Sequence, residues 1–125
     1  LDKEIGKLME KRSKGAKGTI SFSNNMEKAM KDADIVTSKS WGALKYYGKS
    51  QKEKTIKEGL KHWIVDKKKM SATDNALYMH CLPVRRNVEV TDEVIDSKNS
   101  IVIDQAENRM WAQMALLDYL IGKKQ

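Results

Sequence analysis

Residues 78–87, Tyr78-Met79-His80-Cys81-Leu82-Pro83-Val84-Arg85-Arg86-Asn87, concentrate the side chains best suited to chemistry. They hold the chain's only cysteine and only proline, with a histidine and two adjacent arginines. The run enters from the apolar Ala76-Leu77-Tyr78-Met79 and must leave any strand at Pro83, which has no N–H for a ladder. That break leaves the carbonyls around Cys81 and Leu82 free to accept from an amide or an ammonium. Arg85 and Arg86 add fixed, always-charged forks that match carboxylate or phosphate. Open α/β sheets bind ligands where strands end in such turns. The stretch reads as half of an active site.

Covalent chemistry is a poor fit. His80 and Cys81 are neighbours on an extended run, so their side chains point to opposite faces and do not form a nucleophile–base pair. The other histidine, His62, sits in a polar, surface-like segment. Two histidines and one cysteine give no ligand spacing for a metal, so none is expected. A free cysteine is often simply a small buried residue.

Binding and charge stabilisation remain. His80 can polarise a carbonyl oxygen, Arg109 can neutralise an anion, and Lys39 suits a carboxylate. Arg85 and Arg86 can equally pair with Glu89 or Glu93 at the surface. Trp41 can pack its own loop. Arg109 is expected within the first turns of a helix, where positive charge opposes the helix dipole.

Several elements must position these groups. Ile5, Leu8 and Met9 recur at helical spacing within residues 1–14, and Gly15 and Gly18 bracket the end of that helix. Thr19-Ile20-Ser21-Phe22 predicts a short strand. Asn24 with Glu27 predicts a capping box for a second helix. Ile35-Val36-Thr37-Ser38 predicts a strand ending at Lys39-Ser40-Trp41. A long, polar, lysine-rich loop follows to about Lys61. Trp63-Ile64-Val65 is a short apolar run, and Asp66 is expected to cap the helix after it. After the central strand come a short helix from Asp92 to Asp96 and a strand at Ser100-Ile101-Val102-Ile103. Asp104 with Glu107 predicts a second capping box, opening a closing helix that ends at Gly122.

Strands alternating with helices predict an α/β fold, a parallel sheet with helices on both faces. In such a sheet Lys39-Ser40-Trp41, His80 to Arg86 and Asp104 to Arg109 all follow strands at one edge. They can converge on one ligand.

With 125 residues and 40% apolar content, the chain suits a single domain, residues 1–125. The opening at Leu1, directly in a helical pattern, suggests a piece of a longer polypeptide. The net charge of +7 permits nucleic-acid binding, but the lysines form no aromatic-interleaved stripe, and no nucleic-acid partner is expected. Apolar runs are too short for a membrane span. A lone cysteine suits a reducing cytoplasm.

Four motifs carry a family resemblance over nearly the whole chain. His80-Cys81-Leu82-Pro83 resembles the signature of the ornithine branch of the aspartate/ornithine carbamoyltransferases. Lys39-Ser40-Trp41-Gly42-Ala43-Leu44, Arg85-Arg86-Asn87-Val88 and Ala106-Glu107-Asn108-Arg109 are most similar to the N-acetylornithine carbamoyltransferases. The resemblance implies a Rossmann-like second domain that binds the amino acid, incomplete at its N-terminus and separated from its carbamoyl-phosphate domain.

It implies transfer of a carbamoyl group from carbamoyl phosphate to the δ-amine of ornithine or an N-acylated ornithine, in arginine biosynthesis. Arg109 and His80 would hold the carbamoyl oxygen, and Cys81 and Leu82 would contact carbamoyl phosphate. The Leu82 carbonyl would also receive the amine, and Lys39 the substrate carboxylate. Trp41, Pro83 and Arg85 would line the substrate. No metal or organic cofactor is implied, and the full protein would be a homotrimer. Glu89 stands where the N-acetylornithine enzymes carry a modified lysine. The alternative is a non-catalytic binding or assembly domain that retains the fold.

Overall fold

The computed structural model describes residues 3–40, 42 and 44–122, the side chain of Leu44 excepted. Six helices and two strands follow in the order α1 (Lys3–Gly15), α2 (Met26–Met30), β1 (Ile35–Thr37), α3 (Ser50–Gly59), α4 (Lys67–Met70), β2 (Leu77–Met79), α5 (Asp92–Ile95) and α6 (Val102–Ile121). Single 3-10 turns lie at Leu44–Tyr46 and Lys61–Trp63.

β1 and β2 pair in parallel, Ile35 with Leu77, Val36 with Tyr78 and Thr37 with Met79. Alternation turns Val36 and Tyr78 to the covered face, while Ile35 and Leu77 are exposed on the other. The core gathers Met30, Val36, Val65, Ala76, Tyr78, Val90, Val94, Ile95 and Val102. Tyr78 is fully buried at its centre, and its hydroxyl meets Ser38 Oγ at 2.6 Å. Single parallel bridges extend the sheet pattern at Val65–Val90 and Tyr78–Ser100.

The α/β class and the parallel pairing match the expectation, as do β1, β2, α1, α5 and the Asp66 cap of α4. Asp66 Oδ1 accepts from the Lys69 N–H at 2.8 Å. Other expectations fail for local reasons. Thr19–Phe22 has strand-forming residues, yet no strand lies beside it among the described residues and it forms none. Propensity cannot supply the hydrogen-bond partner that a ladder needs. In the Trp63-Ile64-Val65 run only Val65 bridges, donating to the Glu89 carbonyl and accepting from Thr91 N–H, both at 3.0 Å.

The expected fourth strand shrinks to Ser100, because the chain turns helical at Val102. Asp104 and Glu107 therefore lie inside α6 and cap nothing. Asn25, not Asn24, caps α2, its side chain accepting from the Lys28 N–H at 2.8 Å. The lysine-rich segment before Lys61, expected as a loop, folds largely into α3, with Glu53 and Lys57 paired one turn apart at 2.8 Å. Gly48, at φ 78°, makes the left-handed turn just before it.

Candidate active site

The parallel register places the residues after each strand side by side. Beyond Thr37–Met79 the chains run on as Ser38-Lys39-Ser40 and His80-Cys81-Leu82, and the two segments touch. Lys39 Nζ lies 3.5 Å from Cys81 Sγ, both side chains being exposed. Cys81 is thus open to solvent and not the buried small residue that a free cysteine often is.

Beneath this pair runs a buried polar chain. Glu89 is 1% exposed and His80 2% exposed. Glu89 Oε2 accepts from His80 Nε2 at 2.8 Å, and Glu89 Oε1 accepts from Ser40 Oγ. The other ring nitrogen, His80 Nδ1, accepts from the Leu82 N–H at 3.0 Å. A backbone N–H can only donate, so Nδ1 carries no proton and Nε2 carries the ring hydrogen. Both nitrogens are therefore engaged inside the chain. Through Nδ1 the ring is tied to the turn that follows.

That turn is unusual. Leu82 has φ 44°, in the left-handed region that a branched side chain seldom enters, and the Leu82–Pro83 peptide is cis. A leucine held at that φ costs about 1–3 kcal/mol and persists where its surroundings hold it. Here the hydrogen bond to His80 and the packing of Leu82 and Val84 against the core do so.

Arg85 and Arg86 separate in function. Arg86 pairs with Asp96 through two bonds of 2.6 Å and with Asp92 at 2.8 Å, while Asn87 donates to Asp92 at 2.7 Å. These bonds from Arg86 hold both aspartates below the usual carboxylate range and raise the guanidinium in turn. Arg86 thus tethers α5, through acidic partners other than the expected Glu89 and Glu93. Arg85 makes no ion pair among the described residues and borders a cavity of about 630 Å³. Ser40, Val88, Glu89, Lys54 and Lys61 also line it. A second cavity, about 680 Å³, opens beside Lys39 and is walled by Met26, Met30, Val36 and Trp63.

The third expected cluster is displaced. Arg109 is the eighth residue of α6, beyond the first turns where the dipole argument applies, and is exposed. Among the described residues it bonds to neither of the two loops. Trp41 lies outside the described residues. Pro83 is exposed at the turn. The structure thus joins Lys39, Ser40, His80, Cys81, Leu82 and Glu89, and leaves Arg85 facing a cavity and Arg109 open. Ser40 and Glu89 escaped the sequence reading as site residues. The signal for Glu89 was its place where the N-acetylornithine enzymes carry a modified lysine, and for Ser40 its membership of the Lys39-Ser40-Trp41 cluster.

No helix among the described residues is long and apolar enough to cross a membrane. No group of three or more potential metal ligands occurs among them either.

Residues 1–120 match the family model described as aspartate/ornithine carbamoyltransferase, Asp/Orn binding domain. The chain is 46% identical over 106 residues to the N-acetylornithine carbamoyltransferase of Xanthomonas campestris pv. campestris, covering 85% of this chain and 31% of that protein. It is 40% identical over 118 residues to the chloroplastic ornithine carbamoyltransferase of Pisum sativum, covering 94% of this chain and 31% of that one. A crystal structure of acetylornithine transcarbamylase complexed with acetylcitrulline superposes with a TM-score of 0.87 at 42% identity, covering 96% of this chain and 36% of that one. The chain spans about a third of the length of these relatives. It belongs to the aspartate/ornithine carbamoyltransferase family.

Proposed function

We propose that this chain is the amino-acid-binding part of a carbamoyltransferase that acts on ornithine or an N-acylated ornithine. The observation that carries the reading is the meeting of Lys39 and Cys81 across the ends of two parallel strands, beside the left-handed Leu82 turn. Lys39 takes the carboxylate of the amino acid. The Leu82 carbonyl receives the δ-amine, and Cys81 with Leu82 contacts carbamoyl phosphate. Arg109 stabilises the charge that develops on the carbamoyl oxygen. Pro83 shapes the turn, Arg85 lines the substrate side, and Trp41 is assigned to substrate contact from the motif alone.

In the reaction the δ-nitrogen bonds to the carbamoyl carbon as the bond from that carbon to the phosphate oxygen breaks. The amine gives up a proton, and phosphate leaves. Catalysis of this kind rests on orientation and preorganised charge, and it needs no covalent enzyme intermediate. The exposed Cys81, with Lys39 and not a base beside it, agrees with a binding role. His80 serves the reaction from within, through the turn it holds.

The remaining assignments follow from the resemblance. A carbamoyl-phosphate-binding domain of the same longer protein completes the site, in a homotrimer, in the cytoplasm. The open apolar surface of α6, with Met110, Met114 and Leu117 each at least half exposed, supports a covering layer in that longer protein. A purely binding domain would share the fold and lack turnover. Arg109→Ala in the full-length protein separates the two. It is expected to abolish citrulline formation while leaving the thermal midpoint close to wild type, and unchanged turnover removes the catalytic assignment.

A further inference from the structure

Arg85 and Arg86 are neighbours, and of the two only Arg86 has acidic partners among the described residues. Arg85 is exposed and borders the cavity beside Ser40. A long side chain of this kind has many rotamers, so it meets a ligand in one place only where its backbone is held.

That backbone is held from both sides. Val84, before it, packs against the core. Arg86, after it, is clamped to α5, reaching Asp96 through both terminal nitrogens at 2.6 Å and Asp92 at 2.8 Å. Asn87 strengthens the clamp, donating to Asp92 Oδ2 at 2.7 Å and accepting from the Asp92 N–H at 3.2 Å. The helix is itself rooted, because Val94 and Ile95 are buried in the core. The chain then turns back on Arg85, whose carbonyl accepts from the Val88 N–H at 3.2 Å and the Glu89 N–H at 3.1 Å. Asn87 makes this turn at φ 59°, a left-handed conformation that asparagine enters more readily than most residues.

Resting on the carbamoyltransferase reading, in which Arg85 lines the substrate side, we infer that Arg86 is a positioning residue for Arg85. With Val84 in the core and Arg86 drawn to α5, the Arg85 side chain is left to the cavity. Arg86 touches no substrate, and α5 contributes only the two carboxylates that hold it. The paired bonds to Asp96 need a planar fork, which lysine lacks. Without the clamp Arg85 keeps its charge but is ordered only as substrate binds. Ordering one such side chain on binding is worth up to about tenfold in affinity.

The test uses the full-length protein at neutral pH, with kcat, KM for both substrates and thermal midpoint measured. The variants are Arg85→Ala, Arg86→Ala, the two combined, Arg86→Lys and Asp96→Asn. Arg86→Ala is expected to raise KM for the amino acid about tenfold, with little change in kcat or in KM for carbamoyl phosphate. Arg86→Lys should recover part of the loss, and Arg85→Ala should raise the same KM at least as much as Arg86→Ala. The combined variant separates the roles. If Arg86 acts through Arg85, its removal from Arg85→Ala raises KM no further.

A merely structural Arg86 would lower the midpoint, and its effect on KM would multiply with that of Arg85→Ala. That result overturns the inference, as does a wild-type KM in Arg85→Ala, which leaves Arg86 nothing to act through. If Arg86→Ala fails to fold, Asp96→Asn, an exposed and isosteric change, decides. It should raise KM about threefold in the presence of Arg85 and not in its absence, and a wild-type KM overturns the inference. In each of these cases turnover by the wild-type protein leaves the carbamoyltransferase reading standing. That reading fails separately, and takes the inference with it, if the wild-type protein forms no citrulline from ornithine or its N-acyl derivatives.

Discussion

Lys39 and Cys81 stand 42 residues apart in sequence, and Lys39 Nζ lies 3.5 Å from Cys81 Sγ. The separation is the register of the ladder itself, in which Ile35 pairs with Leu77 and Thr37 with Met79. The sheet therefore sets which loop residues meet, and a one-residue slip would turn every side chain to the opposite face.

The first prediction concerns Lys39. A charged group that binds a substrate carboxylate contributes about 1.5–3 kcal/mol. Lys39→Ala in the full-length protein is therefore expected to raise KM for the amino acid about 10–100-fold, with a smaller effect on carbamoyl phosphate. Steady-state kinetics with each substrate varied in turn checks this. An equal rise for both substrates would remove the carboxylate assignment.

Acid stability should depend on Arg86. Hydrogen bonds from Arg86 hold the Asp92 and Asp96 carboxyls below their ordinary value of 3.8 in the folded chain. A lowered folded value means that the unfolded chain takes up protons first as pH falls. The stabilisation is present above about pH 3.8 and is lost as the pH drops through the lowered values. Arg86→Ala should flatten this acid limb in urea titrations between neutral and acid pH. All three groups are solvent-exposed, so the effect at neutral pH should be small and should weaken with salt.

Tyr78 gives the alkaline counterpart. Burial raises its phenol above 10.0, against the bond from Ser38. A raised folded value stabilises below the unfolded pKa and is lost as pH rises through the folded one, so stability should decline above about pH 10. Tyr78→Phe should remove that decline, and at neutral pH it should cost about 0.5–1.5 kcal/mol for the lost hydrogen bond. Denaturant melts at two pH values separate these effects.

Asn25 supplies a purely local test. Its side chain closes the start of α2, so Asn25→Ala should destabilise by about 1 kcal/mol. Asn24→Ala should do much less. Equal losses would place the cap where the sequence pattern first suggested it.

The contrast between Asn24 and Asn25 shows where the sequence was readable. The presence of a cap before Met26 was legible, but two adjacent asparagines left its position open. β1, β2 and α5 were legible because apolar alternation and flanking turn residues agree. The strand expected at Ser100–Ile103 was not, because β-branched residues also suit a buried first turn of helix, and Val102 packs into the core there. Lysine and glutamate spaced for helix pairing hid α3 inside what looked like a polar loop. At the site, the Leu82–Pro83 turn announced itself through proline, while the Glu89–His80–Ser40 chain did not. Its members lie up to 49 residues apart, and only the folded register brings them together.

The proposed reaction is transfer of carbamoyl from carbamoyl phosphate to an ornithine-type amine. The most direct measurement incubates the full-length protein with carbamoyl phosphate labelled in its carbonyl carbon and, separately, ornithine, N-acetylornithine and N-succinylornithine. Label is expected in the ureido group of the matching citrulline, with one phosphate released per product. Absence of labelled product with all three amines would contradict it.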